Sequence, residues 1–160
     1  MKLYIALIPA YEPSEMLAEL AGQLNEAGVE TIIINDGSGK KYDPFFNAAA
    51  RFATVLNHNE NRGKGRALKT GLAYIKDNYP QGCVTVTLDS DGQHTVKDTI
   101  RVCKSASENP GCVVLGSRSF VANVPIRSRF GNTVTRFVYR LFTGKHVTDT
   151  QTGLRAFSSE

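Results

Sequence analysis

Residues 83–94, with the sequence CVTVTLDSDGQH, carry the pattern that decides the fold class. Apolar and threonine side chains alternate as far as Leu88, which predicts a β-strand, and Gly92 follows where the chain must turn. Asp89 and Asp91 therefore follow the carboxyl end of a strand, the edge at which open α/β sheets bind ligands. Two carboxylates at this spacing can bind one divalent cation, which a diphosphate can also coordinate. On these residues alone, a strand cap followed by an ordinary Asp-Gly turn is the simpler interpretation.

Length and composition are those of an ordinary globular chain. Of the 160 residues, 41% are hydrophobic and 21% are charged, which predicts a single domain over residues 1–160. No segment has the roughly 18 uninterrupted apolar residues that span a bilayer, and no secretory cleavage site follows the start, so we expect a cytoplasmic chain. The three cysteines are widely spaced in apolar surroundings, so we expect buried free thiols.

The net charge of +4 is unevenly distributed. Residues 1–95 carry 9 Lys+Arg against 11 Asp+Glu, a net −2, whereas residues 96–160 carry 10 against 4, a net +6. This asymmetry predicts an anionic partner for the later part, such as a phosphorylated ligand, an anionic membrane surface or nucleic acid.

Strand and helix patterns alternate along the chain. The predicted strands are residues 2–8 (stopped by Pro9), 29–34, 53–56, 83–88 and 112–115. The predicted helices are residues 14–27 capped by Ser14, one starting at Asp43-Pro44, 65–79, and 95–107 with a Thr95/Asp98 capping box. Such alternation predicts an α/β fold with three layers, in which a mostly parallel central sheet has helices on both faces.

Polar loops follow the first four predicted strands and should share one edge of the sheet. Asp36 could accept hydrogen bonds from a ribose or a base, and Arg62 and Lys64 could contact phosphate. The glycines beside Lys64 allow close backbone approach next to a helix N-terminus. Each loop alone could be a solvated turn, but together they predict a nucleotide pocket. The Gly-Lys-Ser/Thr ending of a P-loop and the Gly-x-Gly-x-x-Gly dinucleotide motif are both absent from the sequence.

The order of these motifs resembles family 2 glycosyltransferases of the Rossmann-like GT-A fold, particularly dolichyl-phosphate mannose synthase and bacterial polyprenyl-phosphate glycosyltransferases. The matching segments are IPAY (8–11), INDGS (34–38), NRGKGRAL (61–68), LDSDGQH (88–94), GSR (116–118) and DTQTGLRAF (149–157). They cover nearly the whole chain, and their combination is specific although each motif is short. Relatives usually continue further, so we expect a catalytic domain that is truncated at its C-terminus.

The resemblance assigns roles to individual residues. It implies that the donor-binding residues of the nucleoside pocket are Pro9, Ala10, Tyr11 and Asp36. It also implies that Asp89 and Asp91 bind the Mg²⁺ or Mn²⁺ of a UDP- or GDP-linked sugar, with Gln93 beside this metal. Two departures are Asn35-Asp36, where many relatives have an acid pair, and Glu12-Pro13, where they have Asn-Glu. The contribution of Glu12 to the donor site is therefore open.

The basic later part contains a candidate amphipathic helix that begins near Pro125. Its apolar side chains share one helical face, and arginines supply charge nearby: Phe130, Val134, Phe137, Val138, Leu141, Phe142, with Arg127, Arg129, Arg136 and Arg140. An ordinary helix packed on the sheet would show the same stripe. The resemblance favours a membrane-surface element that receives a lipid phosphate, with Arg118, Arg127 and Arg129 contacting donor or acceptor phosphates.

The resemblance implies an inverting, metal-dependent transfer of a sugar to a membrane polyprenyl phosphate, at the inner face of the plasma membrane. A lipid phosphate needs no general base because its attacking oxygen is already ionised, whereas a saccharide hydroxyl would need one. Asp149 is the candidate base by motif position, but it could equally be structural. The alternatives are a transferase acting on a saccharide hydroxyl in polysaccharide synthesis and a sugar-nucleotide-binding module without turnover. A nucleic-acid binder would leave the polar loops without a role.

Overall fold

The computed structural model describes residues 2–116 and 153–158. Within these residues the strands are β1 (Tyr4–Ala10), β2 (Glu30–Asn35), β3 (Thr54–Asn57), β4 (Val84–Thr87), β5 (Val114–Leu115) and β6 (Arg155–Ser158). The helices are α1 (Met16–Glu26), α2 (Asp43–Ala49), α3 (Lys64–Asn78) and α4 (Val96–Glu108), with a 3₁₀ turn at Lys40–Tyr42. No helix in these described ranges is both long and apolar enough to cross a bilayer.

The strands form one sheet in the order β3-β2-β1-β4-β6-β5. The first four strands pair in parallel, with Ile8 opposite Ile33 and Leu7 opposite Thr87. β6 runs antiparallel between β4 and β5. The predicted α/β fold with a mostly parallel sheet is therefore confirmed.

β1 is the central strand and is buried on both faces. Ala6 and Ile8 belong to the core that packs against α1, α2 and α4, whereas Ile5 and Leu7 belong to the core beneath α3. All four side chains are fully buried, and each of the three larger ones, Ile5, Leu7 and Ile8, contributes about 1.5–3 kcal/mol by leaving water. Two apolar faces explain why the strand is a continuous apolar run, and they confirm the prediction of helices on both sides of the sheet.

Pro9 lies inside β1, so the prediction that it ends the strand is wrong. The amide of Leu88 donates to the carbonyl of Leu7 at 3.1 Å, so the backbone polar groups of Leu7 face β4. Alternate residues of a strand turn their backbone polar groups to the same side, so the nitrogen of Pro9 also faces β4. The pairing with β4 ends at Leu7, opposite Thr87. The strand tolerates Pro9 because its missing N–H falls where β4 no longer pairs with β1.

The start of α1 differs from the prediction. The helix begins at Met16 after Glu15, and no side-chain hydrogen bond caps it. Ser14 contributes only its backbone carbonyl, which accepts from the amide of Leu17 at 3.2 Å. Ser14 is therefore not the N-cap residue.

The starts of α2 and α4 agree with the sequence signals. Pro44 occupies the first turn of α2, where a missing amide hydrogen costs nothing. The Thr95 hydroxyl accepts from the amide of Asp98 at 3.1 Å and donates to the Asp98 carboxylate at 2.8 Å. Thr95 is therefore the N-cap of α4, as predicted.

The far edge of the sheet is the part that the sequence described least well. The predicted strand over residues 112–115 is only Val114–Leu115, and β6 lies between it and β4. Cys112, outside the strand, is exposed, so the expectation that all three cysteines are buried is wrong for this residue. Cys83 and Cys103 are buried and form no disulfide, and burial raises the pKa of Cys103 to about 12.

We predict that a thiol reagent at neutral pH labels Cys112 alone in the native protein, because reaction needs an exposed thiol that can ionise. Mass spectrometry should find one adduct before denaturation and three after it. Cys112→Ser is the control and should show none in the native state. Rapid native labelling of Cys103 would contradict the packing of α4 on the sheet.

Candidate functional site

The carboxyl ends of the parallel strands meet at one edge, and their loops are joined there by backbone hydrogen bonds. The amide of Asp36, after β2, donates to the carbonyl of Ala10 in β1 at 2.9 Å. The amide of His58, after β3, donates to the carbonyl of Asn35 at 2.8 Å. The structure therefore brings together the polar loops that the sequence predicted to share one edge.

Asn35 connects neighbouring segments of this edge through its side chain. It is 7% exposed, its Nδ2 donates to Asn57 Oδ1 at 3.0 Å, and its Oδ1 accepts from the amide of Ser38 at 2.9 Å. The hydroxyl of Ser38 in turn accepts from the amide of Glu12 at 2.9 Å. Glu12 has a φ of +49°, a backbone conformation that residues other than glycine adopt infrequently. The hydrogen bond to Ser38 helps to hold Glu12 in this conformation. Asn35 thus links the loop after β2 to the end of β3, and Ser38 extends this connection to the loop after β1.

Gly37 is required by the close approach of two loops. Its φ is +73°, and a Cβ at this position would overlap the backbone of Glu60 and Asn61. The clash would be with main-chain atoms, which cannot move aside as the end of a flexible side chain can. The turn after β2 and the loop after β3 therefore pack without space for any side chain at residue 37.

Asp36 lies in the centre of this edge and is 3% exposed. Its Oδ1 accepts from His58 Nδ1 at 2.7 Å and from the amide of Arg62 at 3.1 Å, and the amide of Gly63 also stabilises the carboxylate. Burial alone would raise the pKa of Asp36, but these hydrogen bonds outweigh it and hold the pKa below its ordinary value. The carboxylate therefore remains ionised although it is buried.

The sequence analysis assigned no role to His58, although its ring bonds the carboxylate of Asp36. Its Nε2 lies 3.0 Å from the hydroxyl of Thr70 on α3, so both ring nitrogens have partners. The only local signal was the position of His58 directly after β3, at the carboxyl edge of the sheet.

The loop after β3 presents two cations. Arg62 is exposed, and only its backbone amide bonds Asp36. Lys64 is the first residue of α3, and its Nζ forms an ion pair with Asp89 Oδ1 on the loop after β4. Lys64 is exposed, and it contacts one of the two predicted metal ligands.

The two carboxylates after β4 have different surroundings. Asp89 is half-buried, and a Cβ on Gly153 would overlap its carboxylate, so the chain entering β6 passes against this side chain. The hydroxyl of Thr87 donates to the carbonyl of Gly153 at 2.8 Å and fixes that approach. Asp91 is exposed, and its Oδ1 accepts from the amide of Gln93 at 3.0 Å, as in a local Asx turn.

These donors fit a hard divalent cation that is shared with a phosphate ligand. Among residues 2–116 and 153–158, no group of three or more His, Cys, Asp or Glu side chains could hold a metal alone. Mg²⁺ and similar ions commonly bind through one or two carboxylates, with phosphates and water completing the shell. Asp89 and Asp91, on one loop beside an exposed Gln93, match that chemistry.

The remaining predicted site residues fall into two groups. At the end of β1, Pro9 is half-buried, Ala10 is buried and Tyr11 is 49% exposed, so the tyrosine ring is available to a ligand. The assignments to Arg118, Arg127, Arg129 and Asp149, and the basic amphipathic helix, lie outside the described residues.

Two cavities lie away from the strand-end loops. One, of about 710 Å³, lies along α4 beside Val96, Ile100 and Lys104. The other, of about 380 Å³, lies between the end of α3 and the sheet, beside Tyr79 and Phe157. Neither cavity is lined by a predicted site residue.

The sequence is similar to a known protein family and to individual archaeal proteins. The sequence model of glycosyl transferase family 2 matches residues 5–160. An uncharacterized protein of Methanocaldococcus jannaschii is 35% identical over 96% of this chain and 64% of its own length. The UDP-N-acetylglucosamine–dolichyl-phosphate N-acetylglucosaminyltransferase of Methanococcus voltae is 31% identical, over 98% of this chain and 70% of its own length.

Solved structures share the fold at low sequence identity. Glucosyl-3-phosphoglycerate synthase from Mycobacterium tuberculosis superposes with a TM-score of 0.71 at 19% identity, over 99% of this chain and 57% of its own. The mannosyltransferase PcManGT from Pyrobaculum calidifontis has a TM-score of 0.57 at 18% identity, over 99% and 45%. The chain thus spans about half the length of these structures and about two thirds of the curated relatives above.

We predict that Gly37→Ala lowers the free energy of unfolding by about 1–3 kcal/mol, because the new methyl group meets backbone and the φ is unfavourable. Gly39→Ala is the matched control: it lies two residues away, has a φ of −66°, and a Cβ there meets nothing within 4 Å. Urea denaturation should show little change for the control. Equal stability of the two variants would mean that the loops do not pack as described.

Proposed function

Because the chain belongs to glycosyl transferase family 2, we propose that it is the catalytic domain of an enzyme that transfers a sugar from a nucleoside diphosphate to a membrane polyprenyl phosphate. The observation that carries the proposal is the convergence of four loops at one sheet edge. They present a buried ionised acid, two cations and a pair of carboxylates.

The donor nucleoside is proposed to lie between the loops after β1 and β2. Pro9 and Ala10 form the end of β1, the exposed ring of Tyr11 offers a stacking surface, and Asp36 offers a hydrogen-bond acceptor. The backbone around Glu12 is held by Ser38, and we propose that it shapes this pocket through its main chain. The nucleotide is UDP or GDP.

The diphosphate is proposed to lie between the loops after β3 and β4. Arg62 and Lys64 supply positive charge there, and the amide groups at the N-terminus of α3 favour an anion. Lys64 already neutralises Asp89 in this structure, so a divalent cation and Lys64 are alternative partners for that carboxylate. Release of Lys64 from Asp89 would leave its ammonium group to contact phosphate.

Asp89 and Asp91 are proposed to bind Mg²⁺ or Mn²⁺, and Gln93 lies next to them on the loop. Related folds have been crystallised with UDP and Mn²⁺ and with GDP-Man and Mn²⁺, which supports this assignment. When bound, such an ion neutralises the charge that develops on the departing diphosphate.

The acceptor is proposed to be a lipid phosphate that attacks the anomeric carbon and inverts it. Two of the relatives are named as transferases to dolichyl phosphate, the M. voltae enzyme and the dolichyl-phosphate beta-glucosyltransferase of Dictyostelium discoideum, which is 28% identical over 99% of this chain and 55% of its own length. An ionised phosphate needs no proton removed, so Asp149 is not required as a base. Arg118, Arg127 and Arg129 are proposed to contact phosphates at the inner face of the plasma membrane.

We predict that calorimetric titration with UDP and GDP detects binding of one nucleotide, and that Mn²⁺ strengthens it about tenfold or more. Asp91→Ala should remove the Mn²⁺-dependent part because one of two carboxylate ligands is lost. Asp77→Ala is the control, since this exposed acid lies near the C-terminus of α3, roughly 20 Å from Lys64 at the N-terminus of that helix. No binding of either nucleotide by the wild type would refute the proposed donor site.

We predict that sugar is transferred from the bound donor to a polyprenyl phosphate in detergent micelles and not to the matching polyprenol, which lacks the ionised oxygen. Asp149→Asn should keep most of this activity, because loss of a general base costs about 100-fold to 10,000-fold only where one is needed. Transfer to a saccharide hydroxyl, with a large loss in Asp149→Asn, would favour the alternative transferase. Donor binding without any transfer would favour a binding module.

A further inference from the structure

We propose that His58 is a positioning residue for donor binding, which acts by orienting the carboxylate of Asp36. This inference rests on the proposed function, because it concerns the acid assigned to the nucleoside. His58 is the first residue after β3, and its side chain is 8% exposed. It connects the nucleoside pocket to α3 through Asp36 on one side and Thr70 on the other.

The partners of the ring determine where its proton lies. The ionised carboxylate of Asp36 can only accept, so Nδ1 of His58 must carry a hydrogen and donate it across 2.7 Å. In the neutral ring Nε2 then accepts from the hydroxyl of Thr70 across 3.0 Å. Asp36 therefore fixes the tautomer of the imidazole, and Thr70 helps to hold the orientation of the ring from its other side.

The consequence for Asp36 is a fixed acceptor that stays ionised. His58 Nδ1 and the amide of Arg62 donate to it, and these bonds, with the nearby amide of Gly63, lower its pKa against the effect of burial. A carboxylate can accept about four hydrogen bonds, so capacity remains for one from a ligand. Because the acid is 3% exposed, it has little freedom to reorient when the ligand arrives, and its direction must already be correct.

The two amide substitutions of His58 separate this role from simple packing. In His58→Asn the side-chain amide can occupy the place of Nδ1 and donate to Asp36, whereas in His58→Gln the amide extends toward the place of Nε2 and Thr70. Both remove the ring from the same buried position, so loss of packing affects both variants. Only the contact with Asp36 distinguishes them.

The test is calorimetric titration of both variants with UDP and GDP in the presence of Mn²⁺, with thermal unfolding of each variant alongside. We expect His58→Asn to bind within about threefold of the wild type and His58→Gln to bind about tenfold or more weakly. In an Asp36→Asn background, His58→Gln should weaken binding by less than about twofold further, because its effect passes through the acid.

Equal losses in the two variants, or full additivity with Asp36→Asn, would overturn the positioning role and leave only packing. Unchanged affinity in His58→Gln would overturn it as well, and the proposed donor site would stand because the wild type still binds. Failure of the wild type to bind either nucleotide would overturn the proposed function and this role together.

Discussion

The parallel pairing of β1 with β2 and β4 is the constraint on which the rest of the structure depends. β1 is buried on both faces, so its side chains hold α3 on one side of the sheet and α1, α2 and α4 on the other. Parallel strands also end at the same edge, and the four loops that follow them must therefore share a small volume. The polar site is a consequence of this packing, because it lies where the apolar strands end.

Polar groups at that edge form hydrogen bonds and an ion pair with one another in the absence of a ligand. Asn35 connects the loop after β2 to the end of β3, Asp36 accepts from the loop after β3, and Lys64 pairs with Asp89 across 25 residues of chain. Unpaired charges so close together would repel one another, or each would need to be hydrated. Pairing between them therefore stabilises this edge of the sheet in the absence of ligand. The hydrogen bonds of Asn35 and Asp36 also hold these groups in place, which lowers the entropy cost of ordering them when a ligand binds.

Much of the fold could be predicted because it depends on local patterns. The strands and helices as far as Glu108 follow from alternation, helical spacing and the Thr95 cap, and the two corrections at Pro9 and Ser14 moved boundaries only. The sequence made no prediction for the order of strands at the far edge, where β6 lies between β4 and β5. No local pattern specifies that insertion, since it depends on which late segment pairs with β4 after the parallel sheet has formed.

For the site, the sequence by itself determined the residue types and their place after each strand: Asp36, the Arg62–Lys64 cations, and the Asp89/Asp91 pair. The alternation of apolar side chains shows where a strand ends, and the carboxyl ends of strands in such a sheet are where ligands bind. The tertiary structure alone decided the partners. His58 bonds Asp36 through one ring nitrogen and Thr70 through the other, and Gly153 lies against Asp89, 64 positions earlier in the chain. Contacts between residues so far apart follow from packing, and packing is not readable from local sequence.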